Sequence, residues 1–311
     1  MSGQVYNRVA IVGFGLIGSS LARIIREKGV VGEIVAVDVS EAHRNKIAEL
    51  GLADRVTGDI ADGVAGADLV VFAVPVLAMG EAMAAAAPTL APGATITDVG
   101  SVKGSVADAL AASAPDGVFI IPGHPIAGTE HSGPAAGFAE LFDGRWVILT
   151  PDETREDAAY AEAVARLSSF WRGCGAQVEI MDVKHHDLVL AITSHIPHLI
   201  AYNIVGTASD LEGVTEGEVM KYSAGGFRDF TRIAASDPTM WRDIFVANKD
   251  AVLEVLGRFT EDLQALQRAI RWGEAEKLHE LFTRTRAIRR GVIALGQESA
   301  EPNFGRDRGK H

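Results

Sequence analysis

The chain has 311 residues, enough for two ordinary domains, with 48% hydrophobic residues, 6% aromatics and 33 glycines. That balance suits an α/β protein rich in tight strand-to-helix turns and excludes a disordered or fibrous chain. With 29 Lys and Arg against 41 Asp and Glu, the net charge of −12 repels nucleic acid and anionic membranes, so an anionic substrate needs locally placed cations.

The single cysteine, Cys174, excludes an intrachain disulfide and a multi-thiolate metal site. It reads as a small buried hydrophobe in a protein of the reducing cytoplasm. Met1 to Arg8 lacks the basic and apolar pattern of a secretory leader. The apolar stretch from Leu188 to Val205 is broken by His195, Pro197, His198 and Asn203, so no membrane span is expected.

In chain order, short apolar runs at Arg8–Val12, Glu33–Val37, Asp68–Val74, Thr95–Asp98 and Val118–Ile121 predict strands with helices between them. Continuous apolar strands are buried on both faces, which implies a parallel, doubly wound sheet. Trp146–Thr150 and Gln177–Met181 predict further strands flanking a helix from about Glu156 to Arg172. After Asp182 the strand signals stop. Pro238 is placed to open a long helix that carries Trp241, Ile244, Phe245, Val252, Val255, Leu256, Phe259, Leu263 and Leu266 at helical spacing. A second helix follows from about Glu274 to Leu295, and the polar tail from Gln297 is expected to fray. The pattern predicts an α/β Rossmann-type doubly wound domain over residues 1–182 followed by an all-α domain over 183–311. The apolar helix pair of the second domain is expected to form a homodimer.

Gly13-Phe14-Gly15-Leu16-Ile17-Gly18 follows the strand Val9–Val12 directly and leads into the helical run Ser19–Lys28, the context that a dinucleotide-binding motif requires. Gly13 permits the tight turn, Gly15 lets a pyrophosphate approach the backbone, and Gly18 lets helix and strand pack closely. The helix N-terminus offers unpaired N–H groups and the positive end of its dipole. Asp38, 20 residues beyond Gly18, ends the second strand where a carboxylate accepts from the ribose hydroxyls of NAD and repels a 2′-phosphate. His43 and Arg44 adjoin it as cations that would favour that phosphate. Phe14, Leu16, Ile17 and Val74, the last at the end of the third strand, complete the predicted cofactor lining.

Two further segments fall just past strand ends, where doubly wound folds bind ligands: Asp98-Val99-Gly100-Ser101-Val102-Lys103, and the run Gly123-His124-Pro125-Ile126-Ala127-Gly128-Thr129-Glu130-His131-Ser132-Gly133. Oxidising a secondary alcohol needs a base for the hydroxyl proton while hydride departs, and an imidazole with a pKa of about 6.5 suits that at neutral pH. His124, between a glycine and a proline on a loop, is poorly placed as core filler and is the candidate base. Ser101 carries a hydroxyl able to orient that imidazole, and it also stands where a following helix would want an N-cap. Lys103 reads as an exposed helix cation and His185-His186 as an exposed helix start. His195 and His198 stand at helical i and i+3 around Pro197, with no third ligand placed to make a metal site. Arg232 supplies a planar fork for a carboxylate, while Arg228, four residues earlier, adjoins Asp229 and has a surface ion pair as a rival role. Trp241 reads more readily as core than as ligand.

These segments, with Gly13–Gly18, Ser194-His195-Ile196-Pro197-His198 and the run Gly225 to Arg232 continuing to Trp241, resemble the prephenate and arogenate dehydrogenases over nearly the whole chain up to the last helices. The resemblance implies oxidative decarboxylation of prephenate or arogenate with NAD, giving 4-hydroxyphenylpyruvate or tyrosine in tyrosine biosynthesis. It implies that His124 bonds the ring C4 hydroxyl, that Arg232 holds the ring carboxylate and that His198, with His195 near it, meets the side-chain carboxylate. Thr129 and Glu130 would line the pocket, Glu130 as a partner for the amine that arogenate carries and prephenate lacks. Many relatives carry a regulatory domain after the helices. Only about fifteen polar residues follow here, so any tyrosine effect is expected to act at the active site. One rival reading is a 3-hydroxyacid dehydrogenase of the same build, but Lys221, Lys249 and Lys277 lack that family's motif. A non-catalytic NAD-binding module would not need His124, Ser101 and Arg232 together.

Overall fold

A computed structural model describes residues 4–129, 131–210 and 225–294. Strands β1 (Tyr6–Val12), β2 (Val31–Val37), β3 (Arg55–Thr57), β4 (Leu69–Phe72), β5 (Thr95–Asp98) and β6 (Phe119–Ile120) pair in parallel in the order β3-β2-β1-β4-β5-β6. The helices α1 (Leu16–Lys28), α2 (Glu41–Glu49), α3 (Ile60–Val64), α4 (Met79–Ala86) and α5 (Gly104–Ala111) alternate with the strands. Side chains alternate across a strand, so the continuous apolar runs feed two layers at once. Val9, Ile11, Leu69 and Val71 join Leu21 and Ile25 of α1 on one face. Ala10, Val12, Val70 and Phe72 join Met79 and Met83 of α4 on the other. The strand order reverses between β1 and β4, and doubly wound sheets bind ligands at the carboxyl ends beside that switch.

The two later strands expected around Trp146 and Gln177 form, with the helix between them, but they are joined by an unexpected strand at Gly123–Pro125. β7 (Gly123–Pro125), β8 (Trp146–Leu149) and β9 (Gln177–Ile180) form a separate sheet in the order β7-β8-β9, antiparallel between β7 and β8. His124 therefore sits on a short strand, paired with Ile148, rather than on a loop. Helix α6 (Ala158–Gly173) lies between β8 and β9 in the chain, and its Phe170 and Trp171 reach the same core as β1, where Cys174 is also fully buried.

Beyond Asp182 the described residues form helices: α7 (Val183–Leu190), a π turn at Ala191–His195, α8 (Ile196–Asp210), α9 (Gly225–Thr231), α10 (Pro238–Ala247), α11 (Lys249–Trp272) and α12 (Ala275–Ala294). The single long helix expected from Pro238 is divided at Asn248. Asn248 leaves helical geometry at φ −105°, ψ 30°. Its side-chain amide donates to the Asp187 carbonyl at 2.9 Å and meets Nδ1 of His195 at 3.1 Å. Contact density divides the chain into Met1–Leu253 and Glu254–His311, later than the expected boundary at Asp182. The helical run Val183–Asp210 is long and apolar enough to cross a membrane, with a mean hydropathy of 1.5. It nevertheless carries His186, Asp187 and His195, each buried, and ionisable groups are costly in lipid.

Candidate active site

The glycine loop leaves β1 at the switch point, and its three glycines have three different reasons to be glycine. Gly13 has φ +97°, and a Cβ there would stand 2.5 Å from the Ala73 carbonyl oxygen and 3.2 Å from Val74. At Gly18 a Cβ would meet the Gly13 carbonyl oxygen at 2.1 Å, so only glycine lets α1 approach the turn. At Gly15 nothing lies within 4 Å, which leaves the open approach that a pyrophosphate needs at the start of α1. Asp38 ends β2 and ties the loop together, accepting from the Phe14 amide at 3.0 Å and the Ser40 amide at 2.9 Å. His43 Nδ1 lies 3.2 Å from the same carboxylate, while Arg44 donates to the carbonyls of Asp38 and Val39. Phe14 is buried, and Leu16 and Ile17 pack half-buried on the core. These features suit a dinucleotide.

Asp98, the last residue of β5, begins the second half of the site. It is wholly buried and ion-paired with Lys103, which also donates to the Gly123 carbonyl at 2.6 Å. The Asp98 carboxylate accepts from the amides of Gly100 and Gly123 at 2.7 and 3.1 Å. Burial drives the Asp98 carboxyl upward and the Lys103 ammonium downward, and their mutual attraction opposes both. Lys103 is thus not the exposed helix cation that the sequence suggests. It ties the start of α5 to the strand that carries His124.

His124 is 7% exposed. Burial pushes its pKa well below the ordinary 6.5, with His186, Lys103 and His195 all placed to disfavour a further positive charge, so the ring is neutral at neutral pH. Its Nδ1 lies 2.9 Å from Nε2 of His186, whose Nδ1 lies 2.8 Å from Asp187. His186 is fully buried on α7, contrary to the expectation of an exposed helix start, while His185 is exposed. A dipeptide of histidines at a helix start gives no sign of which ring faces inward. The i+4 spacing from His186 to the buried Leu190 is the one signal available.

Ser101 is not an N-cap, because α5 begins at Gly104 with Lys103 as its cap residue. The cap acceptor comes from α7: Asp187 accepts from the amides of Lys103 and Gly104, both at 2.8 Å. The His124 ring meets His186 at Nδ1 rather than the Ser101 hydroxyl, and Ser101 stands with its backbone beside His195. His195 is fully buried, its pKa pushed down by burial to about 4, and its Nε2 has no hydrogen-bond partner among the described residues.

His198 stacks on Trp241 with centroids 3.6 Å apart and planes at 23°, and its Nδ1 donates to the Ser194 carbonyl at 2.8 Å. Burial lowers its pKa, and the nearby Arg232 charge lowers it further. Arg232 opens the 3₁₀ turn Arg232–Ala235 and lies on the surface, as does Arg228 on α9. Trp241 is buried on α10 with Val102 and Ile244, its indole nitrogen without a partner among the described residues. Thr129 is exposed and accepts from the His131 amide at 3.3 Å; Glu130 lies outside the described residues.

A neutral imidazole bonded into the protein at one nitrogen, in the same compact unit as a dinucleotide cradle, is what hydride removal from an alcohol demands. The class is that of the NAD-dependent dehydrogenases. Residues 21–180 match the nucleotide-binding domain of prephenate dehydrogenase and residues 182–284 its dimerization domain. The glycine loop precedes the first matched stretch and supports the class independently. The chain is 45% identical to the cyclohexadienyl dehydrogenase of Zymomonas mobilis, over 92% of this chain and 96% of that one. It is 33% identical to the prephenate dehydrogenase of Bacillus subtilis, over 97% and 80%. The structure of prephenate dehydrogenase from Aquifex aeolicus in complex with hydroxyphenyl propionate and NAD+ superposes with a TM-score of 0.84 at 35% identity, covering 94% of this chain and 99% of that one. The chain belongs to the prephenate dehydrogenase family. It is an NAD-dependent oxidoreductase for the oxidative decarboxylation of prephenate or arogenate in tyrosine biosynthesis.

Proposed function

We propose that His124 is the base that takes the ring hydroxyl proton of prephenate, arogenate or both, and that Arg232 and His198 receive the substrate carboxylates. The observation that carries this reading is the burial of His124 in neutral form with Nδ1 engaged, which leaves Nε2 as the ring nitrogen to meet an alcohol. NAD, on Gly13–Gly18 and Asp38 with Val74 beside the loop, supplies the hydride acceptor. His198 has its Nδ1 committed to a carbonyl, so it greets a carboxylate at Nε2 only as imidazolium, and the incoming charge provides the compensation that burial alone denies it. Arg232 contributes a fork that keeps its charge at every working pH. Trp241 holds the His198 ring by stacking; Ser101, His195 and Thr129 complete the substrate residues of this reading, and Glu130, by its chemistry, would favour the amine of arogenate. With the ring so anchored, loss of the hydroxyl proton and hydride leaves a dienone whose carboxylate departs as aromaticity forms.

The domain division at Asp182, a cytoplasmic location and a homodimer built through the C-terminal helices belong to the same proposal. The dimerization-domain match over 182–284 supports the last of these. The test is turnover with NAD on prephenate and arogenate side by side. NADH and carbon dioxide should appear in equal amounts, and the acid limb of kcat/KM should fall below pH 6.5, where a depressed imidazole finally protonates. His124→Asn should keep NAD affinity and lose roughly 10²–10⁴-fold in kcat, and Arg232→Ala should chiefly raise KM. Near-normal turnover by His124→Asn refutes the assigned base.

A further inference from the structure

We infer that Asp187 and His186 are positioning residues that fix the tautomer of His124, an inference that rests on reading His124 as the base. The donors follow from the end of the chain of contacts. The Asp187 carboxylate accepts from the Lys103 and Gly104 amides and lies 2.8 Å from His186 Nδ1. Burial works to raise its pKa, but these bonds outweigh burial and hold it below the ordinary carboxylate value. An ionised carboxylate only accepts, so His186 must carry its proton on Nδ1.

His186 is itself kept neutral, by burial first and by the Lys103 charge, against the pull of Asp187 and Asp98. Its Nε2 is then a lone pair, and that lone pair faces His124 Nδ1 at 2.9 Å. His124 must therefore carry its own proton on Nδ1. The consequence is a bare Nε2, the form able to accept a proton from an alcohol. An imidazole without such a partner is free to present either nitrogen, and only one of the two forms is a base toward the substrate. Asp187 performs two tasks with one carboxylate: it caps α5 and orders two imidazoles in series. Because α5 follows the Asp98–Lys103 segment and Lys103 bonds the Gly123 carbonyl, backbone and tautomer of His124 are set from the same point.

Nitrogen-15 NMR of the histidine-labelled holoenzyme tests this directly, with His124→Asn and His186→Gln assigning the signals. Both rings should appear as Nδ1–H tautomers, and a His124 ring protonated at Nε2 overturns the inference. In kinetics, His186→Met, which removes the acceptor at similar bulk, should lower kcat by about 10²-fold or more, since a wrong tautomer in a comparable triad costs about 10⁴. KM and NAD affinity should stay within roughly threefold. His186→Gln, whose amide carbonyl accepts a proton near the same place, should recover at least about tenfold of that loss. Wild-type kcat in His186→Met, or equal losses in the Met and Gln variants, overturns the assignment. Should His186→Met fail to fold, the wild-type tautomer and the kcat of His186→Gln still decide it. Turnover by His124→Asn would instead sink the base assignment and leave the tautomer spectrum untouched, so the two failures are distinguishable.

Discussion

Lys103 is an ammonium with no exposed surface, held by Asp98 and the Gly123 carbonyl. Removing one partner of a buried ion pair leaves the other charge without compensation, at a cost of about 3–5 kcal/mol, whereas removing both is far cheaper. Lys103→Met should therefore lower unfolding free energy by about that amount, and Asp98→Asn combined with Lys103→Met should cost less than the sum of the single changes. Urea denaturation of the four proteins measures the cycle, and strict additivity contradicts the coupling. At this scale the sequence was half legible. His124, Gly13, Gly15, Gly18 and Asp38 stand in motifs whose spacing announces their chemistry. The burial of Lys103 and His186 was not legible: Asp98 is near Lys103 in the chain, but the Gly123 carbonyl that also receives Lys103 and the His124 ring that meets His186 lie 20 and 62 residues away on other elements.

Among the elements, the glycine turn separates two effects that are usually confounded. A methyl group at Gly15 meets nothing within 4 Å and the backbone there has an ordinary φ of −71°, while one at Gly18 meets the Gly13 carbonyl oxygen at 2.1 Å. Gly15→Ala should melt within a few degrees of the wild type and bind NAD at least about tenfold more weakly, because the new carbon occupies the pyrophosphate approach. Gly18→Ala should lose stability outright, by roughly 1–3 kcal/mol, as α1 is pushed from its turn. Thermal melts with and without NAD distinguish them; equal NAD affinity in Gly15→Ala would place the cofactor elsewhere. The buried strands were readable because β-branched runs such as Val9–Val12 and Leu69–Phe72 serve two apolar layers together. β7 was not, since Gly-His-Pro has no run and no alternation, and its strand character comes from pairing with β8. The break at Asn248 was equally hidden: the residue continues a helical apolar period, but its amide is taken by Asp187 and His195.

For the whole molecule, the telling feature is the apolar surface left on the C-terminal helices. Leu263 and Ile270, seven residues apart on α11 and so on one face, are 47% and 67% exposed, and Trp272 reaches 73%. Phe282 and Ile288 of α12 are also exposed. Scattered exposed apolar groups are ordinary, but large ones repeating along a helix mark an interface, and the match to a dimerization domain runs through residue 284. A second copy of the chain is the occupant that both observations favour. Sedimentation should then show a dimer whose melting temperature rises with protein concentration, because association stabilises the folded state by mass action. Trp272→Glu together with Phe282→Glu should weaken association by at least about 30-fold, the equivalent of losing one interface anchor worth roughly 2 kcal/mol. These side chains are already in water in the single chain, so the monomeric variant should melt near the dilute wild type. A wild type that stays monomeric over the accessible concentrations would refute the dimer and leave that apolar face to a different partner.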